Sequence, residues 1–128
     1  MNLALDTQAY SDFCRGKAMI KQAVREAIRV VLPLIVLGEL RAGFRAGTKS
    51  VENERTLQRF LNQRRVGIIA IDEDTTHHYA RLFIQLRTQG TPIPTNDLWI
   101  ASLIAQHDLT LFSDDAHFDH LPQLNRYS

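Results

Sequence analysis

Short apolar runs alternating with stretches of helical periodicity constrain this chain more than any other feature. Residues 2–5 are apolar and stop at Asp6, and residues 29–32, 66–71 and 110–112 form three further runs. Runs this short suit buried strands, and all fall far below the roughly 20 residues of a membrane span. Between them the spacing changes. Helical character begins near Ala9, with Tyr10 and Phe13, then Ile20, Val24, Ala27 and Ile28, and Gly16 divides two helices. Pro33 suits the first turn of a helix carrying Ile35, Val36, Glu39 and Leu40. Leu57, Phe60 and Leu61 put an apolar stripe on the next helix. Residues 72–75 offer N-cap chemistry ahead of Tyr79, Leu82, Phe83 and Leu86, and Gly90 is placed to end that helix. A Pro-containing loop over 91–96 precedes a stretch at 98–105 that is apolar almost all round, as a core helix would be. The tail from Asp114 reads as irregular. Strands alternating with helices predict an α/β fold with a mainly parallel central sheet flanked by helices. With 128 residues and no repeat, linker or low-complexity segment, one domain over 1–128 is expected.

Composition narrows the setting. Hydrophobic residues at 45% and charged residues at 23% exclude a disordered chain. A lone cysteine, Cys14, excludes an intrachain disulfide and a zinc ribbon, and it reads as a buried or half-buried apolar residue on its helix. Asp6 interrupts what would be the apolar segment of a signal peptide, so a reducing cytoplasm is the expected compartment. A net charge of +1 gives no global attraction to nucleic acid, but the charge is segregated. Arg41, Arg45, Lys49, Arg55, Arg59, Arg64 and Arg65 face only Glu52 and Glu54 in one segment. Asp97, Asp108, Asp114, Asp115 and Asp119 dominate the last third. The first group suits phosphate and the second suits cations, although any single arginine there also reads as part of a solvated helix face. Arg41 and Arg45, one helical turn apart and close to Glu39, are the candidates for substrate contact.

Parallel sheets bind ligands beyond the carboxyl ends of their strands. Asp6 follows the first strand, Asp97 opens the core helix after the Pro loop, and Asp115 lies just past the last strand. Glu39 is embedded in the apolar stretch 34–40, where an unpaired charge is costly. Singly, Asp6 and Asp97 read first as helix caps, Asp115 as a turn residue and Glu39 as the partner of an arginine. Together they would repel one another unless a cation neutralised them. All-oxygen ligation suits Mg²⁺ or Mn²⁺, and an ion so held can activate water and stabilise the leaving oxygen of a phosphodiester.

Leu5-Asp6-Thr7, Glu39-Leu40, Thr95-Asn96-Asp97 and Ser113-Asp114-Asp115 followed by Phe118 resemble, in order and spacing, the motifs of PIN domains. Within that group the chain is most similar to the VapC toxins of bacterial toxin–antitoxin operons, over nearly its whole length. The resemblance implies a metal-dependent endoribonuclease that leaves a 5′-phosphate and a 3′-hydroxyl. It implies Asp6, Glu39, Asp97 and Asp115 as catalytic metal ligands, a VapB-type antitoxin that covers the site, and a toxin that commonly dimerises. Two positions depart from the family pattern: Gln8 stands where Asn is usual, and Asp114 stands where a neutral or basic residue is usual.

Other features read as structural. His117 and His120, or adjacent His77 and His78, lack the further ligands of a zinc site and are expected on helix surfaces and loops. Trp99 is expected in the core, and Asp72-Glu73-Asp74 as a helix cap. A phospho-accepting receiver domain would need a late lysine, and none follows Lys49. A haloacid-dehalogenase-like phosphatase would need a second Asp at position 8, which is Gln. The remaining alternative is a catalytically inactive PIN-like module that binds RNA or protein, which Mn²⁺ would not stabilise.

Overall fold

The computed structural model describes residues 1–128. Its five strands form one wholly parallel sheet, β1 (Asn2–Leu5), β2 (Arg29–Pro33), β3 (Val66–Ile69), β4 (Thr110–Phe112) and β5 (Asn125–Arg126), in the order β3-β2-β1-β4-β5. Six helices connect them: α1 (Thr7–Cys14), α2 (Ala18–Glu26), α3 (Leu34–Ala46), α4 (Ser50–Leu61), α5 (Glu73–Gln89) and α6 (Thr95–His107). A short 3₁₀ helix, Ala116–His120, precedes β5.

Parallel strands covered on both faces lose the apolar–polar alternation and become continuous apolar runs. Central β1 follows this rule, with Leu3, Ala4 and Leu5 fully buried, and its neighbour β4 buries Leu111. Edge strand β3 is only partly covered, and Ile68 on it is exposed. Helix α6 is the core helix expected from its apolar sequence and buries Leu98, Ile100, Ala101, Leu103 and Ile104. Asp72 caps α5 as its sequence suggests: its Oδ1 accepts the Thr75 N–H at 3.0 Å. At the other end Gly90 takes φ 73°, the left-handed conformation that closes a helix without a Cβ clash.

Several expectations change. The tail carries regular structure beyond the 3₁₀ helix, because the Tyr127 N–H bonds to Leu111 O and β5 adds in parallel to β4. Two residues of strand are too few for periodicity to reveal. Ile28 lies beyond the end of α2 and is exposed, so its helical spacing is coincidental. Strand β3 ends at Ile69 rather than Ile71, and α6 begins at Thr95, taking up part of the expected loop. Cys14 is exposed: Tyr10 and Phe13 take the packing positions of α1 against Phe60, which turns the next residue outward. Trp99 is half-buried, its ring centroid 4.0 Å from that of Tyr79 on α5.

The strand order fixes where a ligand can sit. From β1 the chain moves to β2 and β3 on one side, then crosses back to β4 and β5 on the other. The switch point therefore lies between β1 and β4, where open α/β sheets form their crevice.

Candidate active site

Sheet register builds the centre of this crevice. Leu5 pairs with Phe112, so Asp6 and Ser113 leave the sheet side by side, and the Ser113 hydroxyl donates to Asp6 Oδ2. Asp6 Oδ1 accepts the Ala9 N–H at 2.8 Å, so one oxygen caps α1 while the other faces Ser113. Asp6 is only 8% exposed. Burial raises its pKa above the ordinary carboxylate range, the nearby charges of Asp115 and Asp97 add to the rise, and the bonds from Ser113 and Ala9 oppose it.

Glu39, half-buried on α3, has no arginine partner. Thr7 Oγ1 donates to its Oε1 at 2.7 Å, and Asn96 Nδ2 donates to its Oε2 at 3.4 Å. Asp97 stands in the first turn of α6 with its side chain 17% exposed. Burial raises its pKa, His117 pulls it down, and the charges of Asp115 and Glu39 push it up again. Asp115 caps the 3₁₀ helix by accepting the His117 N–H at 2.9 Å, while its own N–H donates to Ser113 Oγ at 3.0 Å. All four carboxylates line one cleft of about 430 Å³ together with Thr7, Gln8, Ile100 and Asp114. Asp114 is exposed at its rim.

Gln8 does not reach toward Glu39; its Nε2 donates to Asp12 Oδ1 at 2.9 Å. Thr7 and Asn96 hold Glu39 without it.

His117 is the residue that sequence reasoning set aside. It is partly exposed, as a surface histidine should be, but its Nδ1 lies 2.9 Å from Asp97 Oδ2 and 3.0 Å from Asp115 Oδ1. The bond with Asp97, seconded by the Asp115 charge, raises its pKa above the usual histidine value. Its spacing to His120 gave no hint of this, because Asp97 lies on another segment, 20 residues away. Arg126 was missed for the same reason. From β5 it donates to the Ser113 carbonyl at 2.6 Å and pairs with Asp119, holding the segment that carries Ser113 and Asp115.

The donor set fits a hard divalent cation. The four carboxylates offer oxygen alone, two of them are desolvated, and no lysine or arginine pairs with any of the four. The basic candidates lie elsewhere. Arg41 and Arg45 line a separate cleft of about 970 Å³ between α3 and α4. Arg41 grips Glu54 through two bonds of 3.0 Å, whereas Arg45 is exposed. Arg65 is committed to the end of α2, its Nη1 donating to the carbonyls of Val24 at 2.6 Å and Ala27 at 2.8 Å.

A parallel sheet in this order with a carboxylate cleft at its switch point describes one class of domain, and the chain belongs to it: the PIN domain family, whose model matches residues 3–124. Within that family it is similar to Ribonuclease VapC5 of Mycobacterium tuberculosis, with 27% identity over 114 residues, 89% of this chain and 83% of that protein. It is also similar to Ribonuclease VapC4 of the same organism, with 28% identity over 91 residues, 71% of this chain and 70% of that protein. Among solved structures it resembles VapBC2 from Rickettsia felis bound to a DNA fragment from their promoter. That match has a TM-score of 0.86 and 26% identity, covering 99% of this chain and 98% of the other.

Proposed function

We propose that residues 1–128 form a single PIN-like domain acting as a VapC-type endoribonuclease toxin, which hydrolyses RNA phosphodiester bonds with Mg²⁺ or Mn²⁺. One observation carries the reading: Asp6, Glu39, Asp97 and Asp115, from four separate segments, meet in one cleft with no lysine or arginine to neutralise them. The names of the VapC4 and VapC5 relatives support ribonuclease as the activity.

When bound, the divalent ion supplies activation of water and neutralisation of charge at the scissile phosphate. Asp6, Glu39, Asp97 and Asp115 would hold it, and this chain's neutral donors fix their orientation beforehand. Ser113 and the Ala9 N–H hold Asp6, and Thr7 and Asn96 hold Glu39. Preorganised carboxylates need little rearrangement when the ion and the phosphate arrive. Exposed Arg45 is the better of the two basic candidates for an RNA phosphate, since Arg41 would first have to leave Glu54. A VapB-type antitoxin would restrain the activity by covering the cleft, in keeping with the VapBC complex among the similar structures. The protein would work in the cytoplasm, as a homodimer or bound to the antitoxin. No helix is long and apolar enough to cross a membrane.

The test is cleavage of total bacterial RNA by purified protein with Mg²⁺ or Mn²⁺, run beside Asp97→Asn and an EDTA control. Discrete products bearing 5′-phosphates, absent from both controls, are expected. Cleavage by folded Asp97→Asn at the parent's rate refutes the site. Copurification with the antitoxin and loss of cleavage in that complex tests the partner.

A further inference from the structure

His117 brings an imidazole nitrogen against two of the cleft's carboxylates, Asp97 and Asp115, and the hydrolysis described above does not use it. The ligand atoms of Asp97, Asp115 and His117 all lie within 4.8 Å of one another. A single ion with bonds of about 2.1 Å holds its ligands about 3 to 4 Å apart, so a small inward adjustment closes all three around one centre. The ring is also kept in place. The His117 N–H bonds to Asp115 Oδ1 at 2.9 Å, and the next residue, Phe118, is 1% exposed and anchors the 3₁₀ helix in the core. His120, on the same helix, makes no side-chain bond to the cleft.

Resting on the reading of this cleft as a metal centre, we propose that His117 supplies an imidazole nitrogen to it, so that the centre selects first-row transition ions over Mg²⁺. Mg²⁺ prefers oxygen and retains its waters, and an imidazole is a poor replacement for one of them. Imidazole suits Fe, Ni, Cu and Zn, and affinity at a mixed nitrogen–oxygen site climbs from Mn²⁺ through Co²⁺. Discrimination among ions sets a ligand apart from a residue that only orients Asp97 and Asp115. An orienting residue would serve every ion alike, whereas a ligand discriminates among them.

Metal affinities measured by calorimetric titration of the purified protein with Mg²⁺, Mn²⁺ and Co²⁺, for the parent, His117→Gln and Asp97→Asn, test the proposal. A pulsed electron-spin-resonance search for ¹⁴N coupling to bound Mn²⁺ completes it. Expected are affinities rising from Mg²⁺ to Co²⁺ in the parent and an imidazole ¹⁴N signal that His117→Gln removes. Co²⁺ affinity should fall about 10–100-fold in His117→Gln while Mg²⁺ affinity changes little. Equal losses for all three ions, or bound Mn²⁺ without ¹⁴N coupling in the parent, overturn the ligand role while leaving the metal centre standing. A parent that binds none of the three ions overturns both readings.

Discussion

Asp97→Asn should make the metal-free protein more stable while removing its response to metal. Asp97 and Asp115 have ligand atoms within 4.8 Å of each other. At that separation two unit charges repel by about 3.5 kcal/mol at an effective dielectric of 20 and by about 0.9 kcal/mol in water. The Asp115 side chain is 38% exposed and His117 lies between the two, so the aqueous figure is the better guide. Asparagine keeps an oxygen to accept from His117 and loses only the charge. A gain of about 1 kcal/mol raises the melting temperature by roughly 3–5 °C in a chain of this size. Metal reverses the order. An ion at a hundred times its dissociation constant stabilises the parent by about 2.7 kcal/mol, or roughly 8–13 °C.

Differential scanning fluorimetry at pH 7.5, with EDTA and then with increasing Mn²⁺, should give melting curves for parent and variant that cross. Acid should close the metal-free gap. The folded-state pKa of Asp97 is raised, chiefly by burial, so its contribution is fully favourable below the unfolded value and is lost as pH rises through the folded one. Parent and variant should therefore converge toward pH 4. A metal-free variant that melts below the parent, combined with an unaltered Mn²⁺ response, refutes the electrostatic argument.

Four further perturbations probe individual contacts. Ser113→Ala removes both the donor to Asp6 and the acceptor of the Asp115 N–H. It should cost about 1–3 kcal/mol in urea unfolding and slow RNA cleavage. Arg65→Met should cost a similar amount by freeing the Val24 and Ala27 carbonyls, with the salt dependence of RNA binding unchanged. Arg45→Gln should instead lower the salt slope by about one without affecting stability. Asp12, whose pKa is lowered first by its bond from Gln8 and then by Lys17 and Arg15, contributes stability above its unfolded value of about 3.9. That contribution is lost as pH falls through the lower folded value, so Asp12→Asn should flatten the acid limb of a stability–pH profile.

What the sequence disclosed depended on how local each cause was. Asp6 is positioned by the end of its own strand, so apolar patterning plus the rule for parallel sheets located it, and Asp97 by the first turn of a helix whose apolar run was plain in the sequence. The cap at Asp72 has all its parts within four residues and was equally legible. Glu39 was recognisable as costly to bury, but its partners were not, because Thr7 is 32 residues away and Asn96 is 57. An arginine was one alternative for its partner, and the fold supplies two neutral donors instead. His117 was hidden in the same way, its Asp97 contact spanning 20 residues. Charge clustering misled in the opposite direction. It counts arginines along the chain but cannot tell that Glu54 engages Arg41 and backbone carbonyls engage Arg65.

The kind of partner each carboxylate receives explains why the cleft can remain strongly anionic in a chain of net charge +1. The carboxylates that meet lysine or arginine are Asp12, Glu54 and Asp119, all outside the cleft. Inside it, orientation comes from two hydroxyls, an amide and two backbone N–H groups, namely Ser113 and Ala9 for Asp6, Thr7 and Asn96 for Glu39, and the His117 N–H for Asp115. Neutral donors fix direction without cancelling charge, whereas an arginine would do both and leave nothing to attract an ion. The His117 ring is the exception, since it can carry charge and touches two of the four carboxylates. Its position suits a side chain that shields Asp97 and Asp115 from each other until a cation takes over that work.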